Sequence, residues 1–186
     1  MKRISIAIVI MAVTIGSSLN AQSKFFTRNG NISFFSDGSS EKIDAVNHKV
    51  SCVIDATTGQ IEFGVLMQAF EFEKALMQEH FNENYVESEK FPKATFKGTI
   101  ADNNIVKYNA DGIYKVNVTG KLTLHGVTND VTSKGTITVK GGKVIANAEF
   151  KILLEEYKIE IPSLVKDKVA KDVRIVVDIQ LDPLNK

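Results

Sequence analysis

Residues 115–124 read KVNVTGKLTL, and polar and apolar side chains alternate along the whole stretch. An alternation of period two places the apolar residues on one face of a β-strand and the polar residues on the other. Similar alternation recurs in residues 61–69, 144–152 and 173–181. Each of these segments is therefore predicted to be a strand with one buried face.

Four weaker strand candidates lie between turn signals such as Thr58-Gly59 and Gly141-Gly142, and they occupy residues 32–36, 43–55, 94–100 and 127–139. The total is about eight strands. Many strands with short connections and no intervening βαβ helices predict an all-β antiparallel meander. This meander is either a sandwich or a closed barrel, and only a closed barrel has no exposed strand edges.

One segment, residues 72–88, lacks the alternation of a strand. Its apolar residues and one histidine recur at helical spacing, and they are Phe72, Ala75, Leu76, Met77, His80 and Phe81. Pro92 would stop a helix before the next strand. We predict a crossover helix over one end of the sheet, and its apolar side is a candidate lid for a cavity.

The N-terminus resembles a secretory signal peptide over residues 1–21. Lys2 and Arg3 precede an apolar run in residues 4–15, and small residues lead to a predicted cleavage after Ala21. A membrane-spanning helix would need roughly 20 apolar residues, so this run is too short for stable membrane insertion. The mature chain, residues 22–186, is predicted to be one domain that is periplasmic or secreted.

Charge and cysteine content exclude several classes of function. The signal peptide holds two of the 23 basic residues and none of the 22 acidic ones, so the mature chain has a net charge near −1. Its lysines are scattered, and no nucleic-acid partner is predicted. The single cysteine, Cys52, cannot form an internal disulfide and is predicted to be a buried apolar residue. A homodimer is compatible with the sequence.

The three histidines, His48, His80 and His125, are not paired at a metal-ligand spacing. The sequence also lacks a Gly-x-Ser-x-Gly elbow and a glycine-rich phosphate loop, so we predict no metal, no catalytic residue and no cofactor. His125 is expected to be a hydrogen-bonded structural residue, and His80 is a candidate contact for a polar head group. A metal- or cofactor-dependent enzyme that uses His80 and His125 is the alternative.

Two sequence blocks carry a resemblance to a known family. The first reads Met77-x-x-His80-Phe81-Asn82-Glu83-Asn84-Tyr85-x-x-Ser88-x-x-Phe91-Pro92-x-x-Thr95-Phe96. The second reads Gly120-x-Leu122-Thr123-Leu124-His125-Gly126-Val127-Thr128. Together they resemble the bacterial YceI-like family of lipocalin-like proteins over essentially the whole mature chain.

The resemblance implies an eight-stranded antiparallel lipocalin-like barrel with a short helical segment covering one end. It also implies a non-enzymatic, exported protein that binds, sequesters or transports a polyisoprenoid or another long-chain apolar lipid, such as an isoprenoid quinone or a fatty-acyl chain. An eight-stranded barrel either fills itself with side chains or holds one small ligand. A filled barrel with a structural or stress-protective role is therefore a further alternative.

Small residues predicted to face inward favour a hollow barrel, and they are Ala69, Gly120, Ala146 and Ala148. Larger apolar residues around them would form the wall, with thioethers adapting to a flexible lipid tail. The residues predicted to contact the ligand are Phe63, Val65, Met67, Phe72, Leu76, Met77, His80, Phe81, Phe96, Leu122, Leu124, Phe150 and Ile152.

Overall fold

The computed structural model describes residues 24–39, 42–162 and 169–184. These residues contain nine strands and one α-helix. The elements in chain order are β1 (Lys24–Asp37), β2 (Lys42–Asp55), β3 (Gln60–Leu66), β4 (Phe70–Phe72), α1 (Ala75–His80), β5 (Lys93–Ile100), β6 (Gly112–Leu124), β7 (Val127–Lys140), β8 (Lys143–Leu153) and β9 (Asp172–Pro183). The predicted signal peptide lies outside the described residues.

Eight strands form a closed antiparallel ring. Neighbours around the ring are β1, β9, β8, β7, β6, β5, β3 and β2, and β2 pairs with β1 to close it. Strand β4 pairs only with β2, through Ala45–Asn47, and is not one of the eight strands whose pairing closes the ring. The prediction of an eight-stranded antiparallel barrel is confirmed, with β4 as a short addition.

Two tight hairpin loops support the meander. His125-Gly126 joins β6 to β7, and Gly141-Gly142 joins β7 to β8. All four residues have positive φ, between 51° and 77°. Two-residue loops of this kind match the right-handed twist of the strands, and glycine adopts the required backbone without a side-chain clash.

The segment after β3 differs from its predicted structure in two ways. The strand ends at Leu66 rather than residue 69, because Met67–Ala69 form a turn of 3-10 helix. Phe72 belongs to β4 rather than to a helix, and α1 spans only Ala75–His80 before a π-helical turn, Phe81–Tyr85. Pairing of β4 with β2 outweighs the helical spacing of the sequence here.

One end of the barrel, where β1 begins, is packed with side chains, and we call it the closed end. The rings of Phe25 and Tyr108 stack there with centroids 5.6 Å apart. The Tyr108 hydroxyl donates to Asn103 Oδ1 at 2.8 Å, and Asn103 Nδ2 donates to the Ala56 carbonyl at 2.8 Å. Burial, with a contribution from nearby Asp55, raises the pKa of Tyr108 to about 12. This end is therefore both apolar and hydrogen-bonded.

Cys52 lies in the core and is 1% exposed. Burial raises the pKa of its thiol, so the side chain stays neutral near pH 7. The position agrees with the prediction of a buried apolar residue. Within the described ranges, no helix is both long enough and apolar enough to cross a bilayer.

Candidate ligand-binding cavity

The barrel encloses a cavity of about 550 Å³. All eight ring strands contribute to its wall, together with α1 and the turn that follows it. The wall consists mainly of aliphatic and aromatic side chains. The interior is therefore hollow, which does not fit the alternative of a filled barrel.

All thirteen residues predicted to contact a ligand lie on the wall of this cavity. They come from β3, the Met67–Ala69 turn, β4, α1, Phe81, β5, β6 and β8. That they bind a ligand stays a prediction.

Sequence reasoning missed the wall residues on β1, β2, β7 and β9. Ile32, Phe34 and Ile43 come from the first two strands, and Ile175 and Val177 come from the last. Strand β9 shows clear alternation, so its inward residues could have been included on that signal alone. The inward residues of β1 could not have been identified in this way, because register shifts near Gly30 interrupt the alternation of the strand.

The small inward residues divide into two groups. Ala146 and Ala148 lie on the cavity wall and leave room in the lumen. Gly120 does not widen the lumen, because the ring of Phe96 takes its space: a Cβ at Gly120 would lie 2.6 Å from Phe96 Cζ. Ala69 lies in the 3-10 turn and is not on the wall. The prediction that these two residues help to hollow the barrel is wrong.

Four phenylalanines form an aromatic cluster between the barrel and the segment after α1. Phe81 stacks on Phe34 with centroids 5.4 Å apart and meets Phe70 and Phe72 at 5.6 Å and 5.1 Å. Phe34 also meets Phe70 at 5.3 Å in an edge-on arrangement. Such pairs contribute about 0.5–1.5 kcal/mol each beyond burial of their area. Phe81 therefore anchors the helical segment to the barrel.

The end of the barrel that carries α1, which we call the helix end, is only partly covered. No residue of α1 is buried, and Leu76 is 61% exposed although it lines the cavity. Lys74 and His80 are also exposed and also line the cavity. The cavity therefore reaches solvent beside α1, next to two basic side chains.

His125 occupies a structural position away from the cavity wall. One ring nitrogen lies 3.0 Å from the Tyr157 carbonyl oxygen, and the other lies 2.7 Å from Glu87 Oε2. The Phe91 ring packs edge-on against the imidazole at 4.7 Å. His125 thus ties three segments together at the helix end, as a structural histidine was expected to do.

The histidines do not converge on one site. His80 lines the cavity and His125 does not, while His48 is exposed on β2 and hydrogen-bonds to Asn31 at 2.7 Å. The described ranges hold no group of three or more metal-binding side chains. The alternative that pairs His80 with His125 in an active site therefore has no geometric support.

The sequence of this barrel matches a family model described as the YceI-like domain over residues 14–181. The chain belongs to the YceI-like family. The resemblance found in the two sequence blocks is thereby confirmed. No curated protein matches the sequence.

Solved structures share the fold of this YceI-like protein at low sequence identity. A polyisoprenoid binding domain from Saccharophagus degradans has a TM-score of 0.77 at 13% identity, with 87% of this chain and 99% of that chain covered. Burkholderia cenocepacia BcnA has a TM-score of 0.67 at 19% identity, with 82% and 95% covered. A Campylobacter jejuni YceI protein mutant has a TM-score of 0.55 at 18% identity, with 71% and 80% covered.

Proposed function

We propose that this YceI-like protein binds one long-chain apolar lipid in its cavity and sequesters or carries it through an aqueous compartment without altering it chemically. The observation that carries the proposal is a lumen of about 550 Å³ with a mainly apolar wall and one packed end. Each methylene removed from water contributes roughly 0.8 kcal/mol, so a chain that fills such a lumen has a strong driving force. Ordering the chain consumes part of that driving force.

The cavity volume sets the size of the chain. A cavity of about 150 Å³ holds one benzene molecule, so about 550 Å³ holds about 22 carbon atoms. A prenyl, quinone-tail or fatty-acyl chain of that size would be fully enclosed. A longer polyisoprenoid would project from the cavity, and the opening beside α1 offers it a path to solvent.

The polar head of the lipid is assigned to the opening beside α1. Lys74 and His80 are the basic residues on this part of the wall, and Leu76 lies between them in the sequence. A head group placed there stays hydrated while its chain is buried. The S. degradans domain, described as polyisoprenoid binding, supports a prenyl chain as one candidate cargo.

Export to the periplasm or beyond the cell is part of the proposal. It is supported by the basic start, the apolar run and the small-residue cleavage region of residues 1–21. Expression of the full chain in a Gram-negative bacterium, followed by osmotic-shock fractionation and mass spectrometry, should give a soluble periplasmic form that begins at or near Gln22. A full-length product in the membrane fraction would contradict export.

Native mass spectrometry tests the binding function most directly. Protein purified without detergent should carry one apolar molecule per chain, and extraction into organic solvent should release it for identification. Protein that emerges empty and takes up neither a prenyl alcohol nor a fatty acid would refute the proposal.

A pair of substitutions on β9 tests whether the lumen is the binding site. Ile175 faces the cavity and Val176 faces outward. Ile175→Gln places an amide against the buried chain and should weaken binding of cis-parinaric acid, a fluorescent fatty acid, by about tenfold. Val176→Gln makes a similar polar change on the outer face and should leave binding unchanged. Equal effects would place the ligand elsewhere.

A further inference from the structure

Strands β7 and β8 separate along half of their length. They pair only from Gly135↔Ala148 to Lys140↔Lys143. Strand β7 nevertheless pairs with β6 back to Val127, and β8 pairs with β9 out to Leu153. Among the described residues, a gap in strand pairing therefore runs between residues 127–134 and 149–153, and we call it the β7–β8 slit.

The cavity extends to this slit. Val131 and Ser133 line it from β7, and Phe150 and Ile152 line it from β8. Thr136 and Asn147 also border the cavity, although they form a rung whose side chains alternate with the inward residues Gly135, Ile137, Ala146 and Ala148. The cavity therefore reaches the inner side of the slit, next to the point where the pairing of β7 with β8 stops.

The slit has defined ends. The Gly135↔Ala148 rung closes it toward the closed end. Toward the helix end, Asn129 Nδ2 donates to the Glu156 carbonyl at 2.7 Å across the gap. Between them, Ser133 Oγ lies 3.4 Å from the Glu149 carbonyl oxygen, at the weak limit of a hydrogen bond. From residue 129 to residue 135 an extended strand spans about 20 Å.

Another separated pair of strands shows how such a gap can be filled. Strands β2 and β3 pair only through Ser51–Ile54 and Ile61–Gly64, so the first part of β2 leaves β3. Strand β4 pairs with β2 there, and buried Asn47 donates from Nδ2 to the Leu66 carbonyl at 2.8 Å. In the described part of the chain, no strand fills the β7–β8 slit in this way.

We infer that the β7–β8 slit is a lateral portal through which an apolar chain passes sideways into the cavity. This inference rests on the proposed function. A lipid chain that enters through the end of the barrel must be exposed to water along its length before the cavity encloses it. A chain that slides through a side slit exchanges lipid contacts for contacts with Val131 and Phe150 along its length, while a bulky head group stays outside.

A reversible cross-link across the slit tests the portal. Thr132 and Lys151 are exposed, and they would face each other if the β7–β8 pairing continued. The double variant Thr132→Cys/Lys151→Cys is joined with a bis-maleimide that contains a reducible disulfide. The matched control, Lys121→Cys/Asp130→Cys, joins two exposed residues on an intact β6–β7 rung. Native Cys52 is buried and should not react.

The measurement is the rate at which cis-parinaric acid transfers from vesicles to the protein. Linking the slit should slow uptake and release about tenfold with the amount bound at equilibrium unchanged, and reduction of the linker should restore the rate. The linked control should transfer at the wild-type rate.

Unchanged transfer in the slit-linked protein, or slow transfer that reduction does not restore, would overturn the portal and leave the opening beside α1 as the path. Failure of the wild-type protein to bind the probe at all would instead refute the proposed function.

Discussion

Gly98 and Gly120 face each other on β5 and β6, and the ring of Phe96 lies over both. A Cβ on either glycine would approach this ring to 2.6 Å. The glycine pair thus leaves the space that the Phe96 ring occupies, and this ring forms the cavity wall at that point. The sequence identifies Gly120 as a small inward residue, but the direction of the Phe96 ring depends on its rotamer and on strand register, which alternation does not determine.

Gly126 combines a backbone requirement with a packing requirement. Its φ is +73°, and a Cβ would lie 2.6 Å from the Phe91 ring. Gly126→Ala should lose about 1 kcal/mol of unfolding free energy from backbone strain and about 1–3 kcal/mol more from displacing Phe91. Gly142→Ala is the matched control, because its φ is +77° and nothing lies within 4 Å of its Cβ position. Urea denaturation should show a larger loss of unfolding free energy for Gly126→Ala than for Gly142→Ala. Equal losses in the two variants would exclude a contribution from Phe91.

The Glu87 carboxylate links acid stability to the contact with His125. The hydrogen bond from His125 lowers the pKa of Glu87, and the charge of Lys90 lowers it further. A carboxyl with a depressed pKa adds stability above its ordinary value near 4.5 and loses it as the pH falls through the folded-state value. Glu87→Gln should therefore lower the urea midpoint at neutral pH, with the difference from wild type disappearing in acid.

The control for this pH dependence is Glu89→Gln, which removes an exposed carboxylate two residues away. It should leave the midpoint close to that of the wild type at both pH values. A difference at Glu87 that persists unchanged below pH 4.5 would mean that the substitution acts through packing rather than through charge.

At the scale of elements, most strands were predictable from the sequence, including the weaker candidates that became β2, β5 and β7, whereas the full length of β1 and the existence of β4 were not. Strands β6, β8 and β9 coincide closely with their alternating segments. Strand β1 is longer than residues 32–36, because Arg28, Asn29 and Asn31 surround a register shift and hide its period. Strand β4 has three residues and exists because β2 offers it a pairing edge, which local sequence does not reveal.

Helix α1 is short and has no buried residue, so its position should depend on Phe81. Phe81→Ala removes contacts to Phe34, Phe70 and Phe72 and should reduce the unfolding free energy by about 2–3 kcal/mol. Hydrogen exchange of amides 75–85 should accelerate more than that of the barrel strands. Leu76→Ala is the control, since Leu76 is 61% exposed, and it should change neither quantity appreciably. Equal acceleration in both variants would show that Phe81 is not the anchor.

At the scale of the whole molecule, the barrel has one packed end and an opening beside α1 at the other end. The packed end contains Phe25, Cys52, Ile54 and Leu181, all at most 1% exposed. The lumen lies beyond this end, and Ala146 and Ala148 are among the residues of its wall. Strand count and alternation left a sandwich and a closed barrel open, and the family resemblance implied the barrel. The volume of the lumen follows from side-chain placement and needed the structure.

The finite lumen predicts a limit on chain length. Affinity for a series of saturated fatty acids should rise with each added methylene and then level off once about 22 carbons are enclosed. Ala148→Phe adds an aromatic ring to the cavity wall and should move the plateau to chains about six carbons shorter. Ile145→Phe, on the outer face of the same strand, is the control and should leave the plateau in place. Competition against cis-parinaric acid measures each affinity. An affinity that keeps rising without a plateau, or a plateau that Ala148→Phe does not move, would mean that the chain is not confined by this lumen.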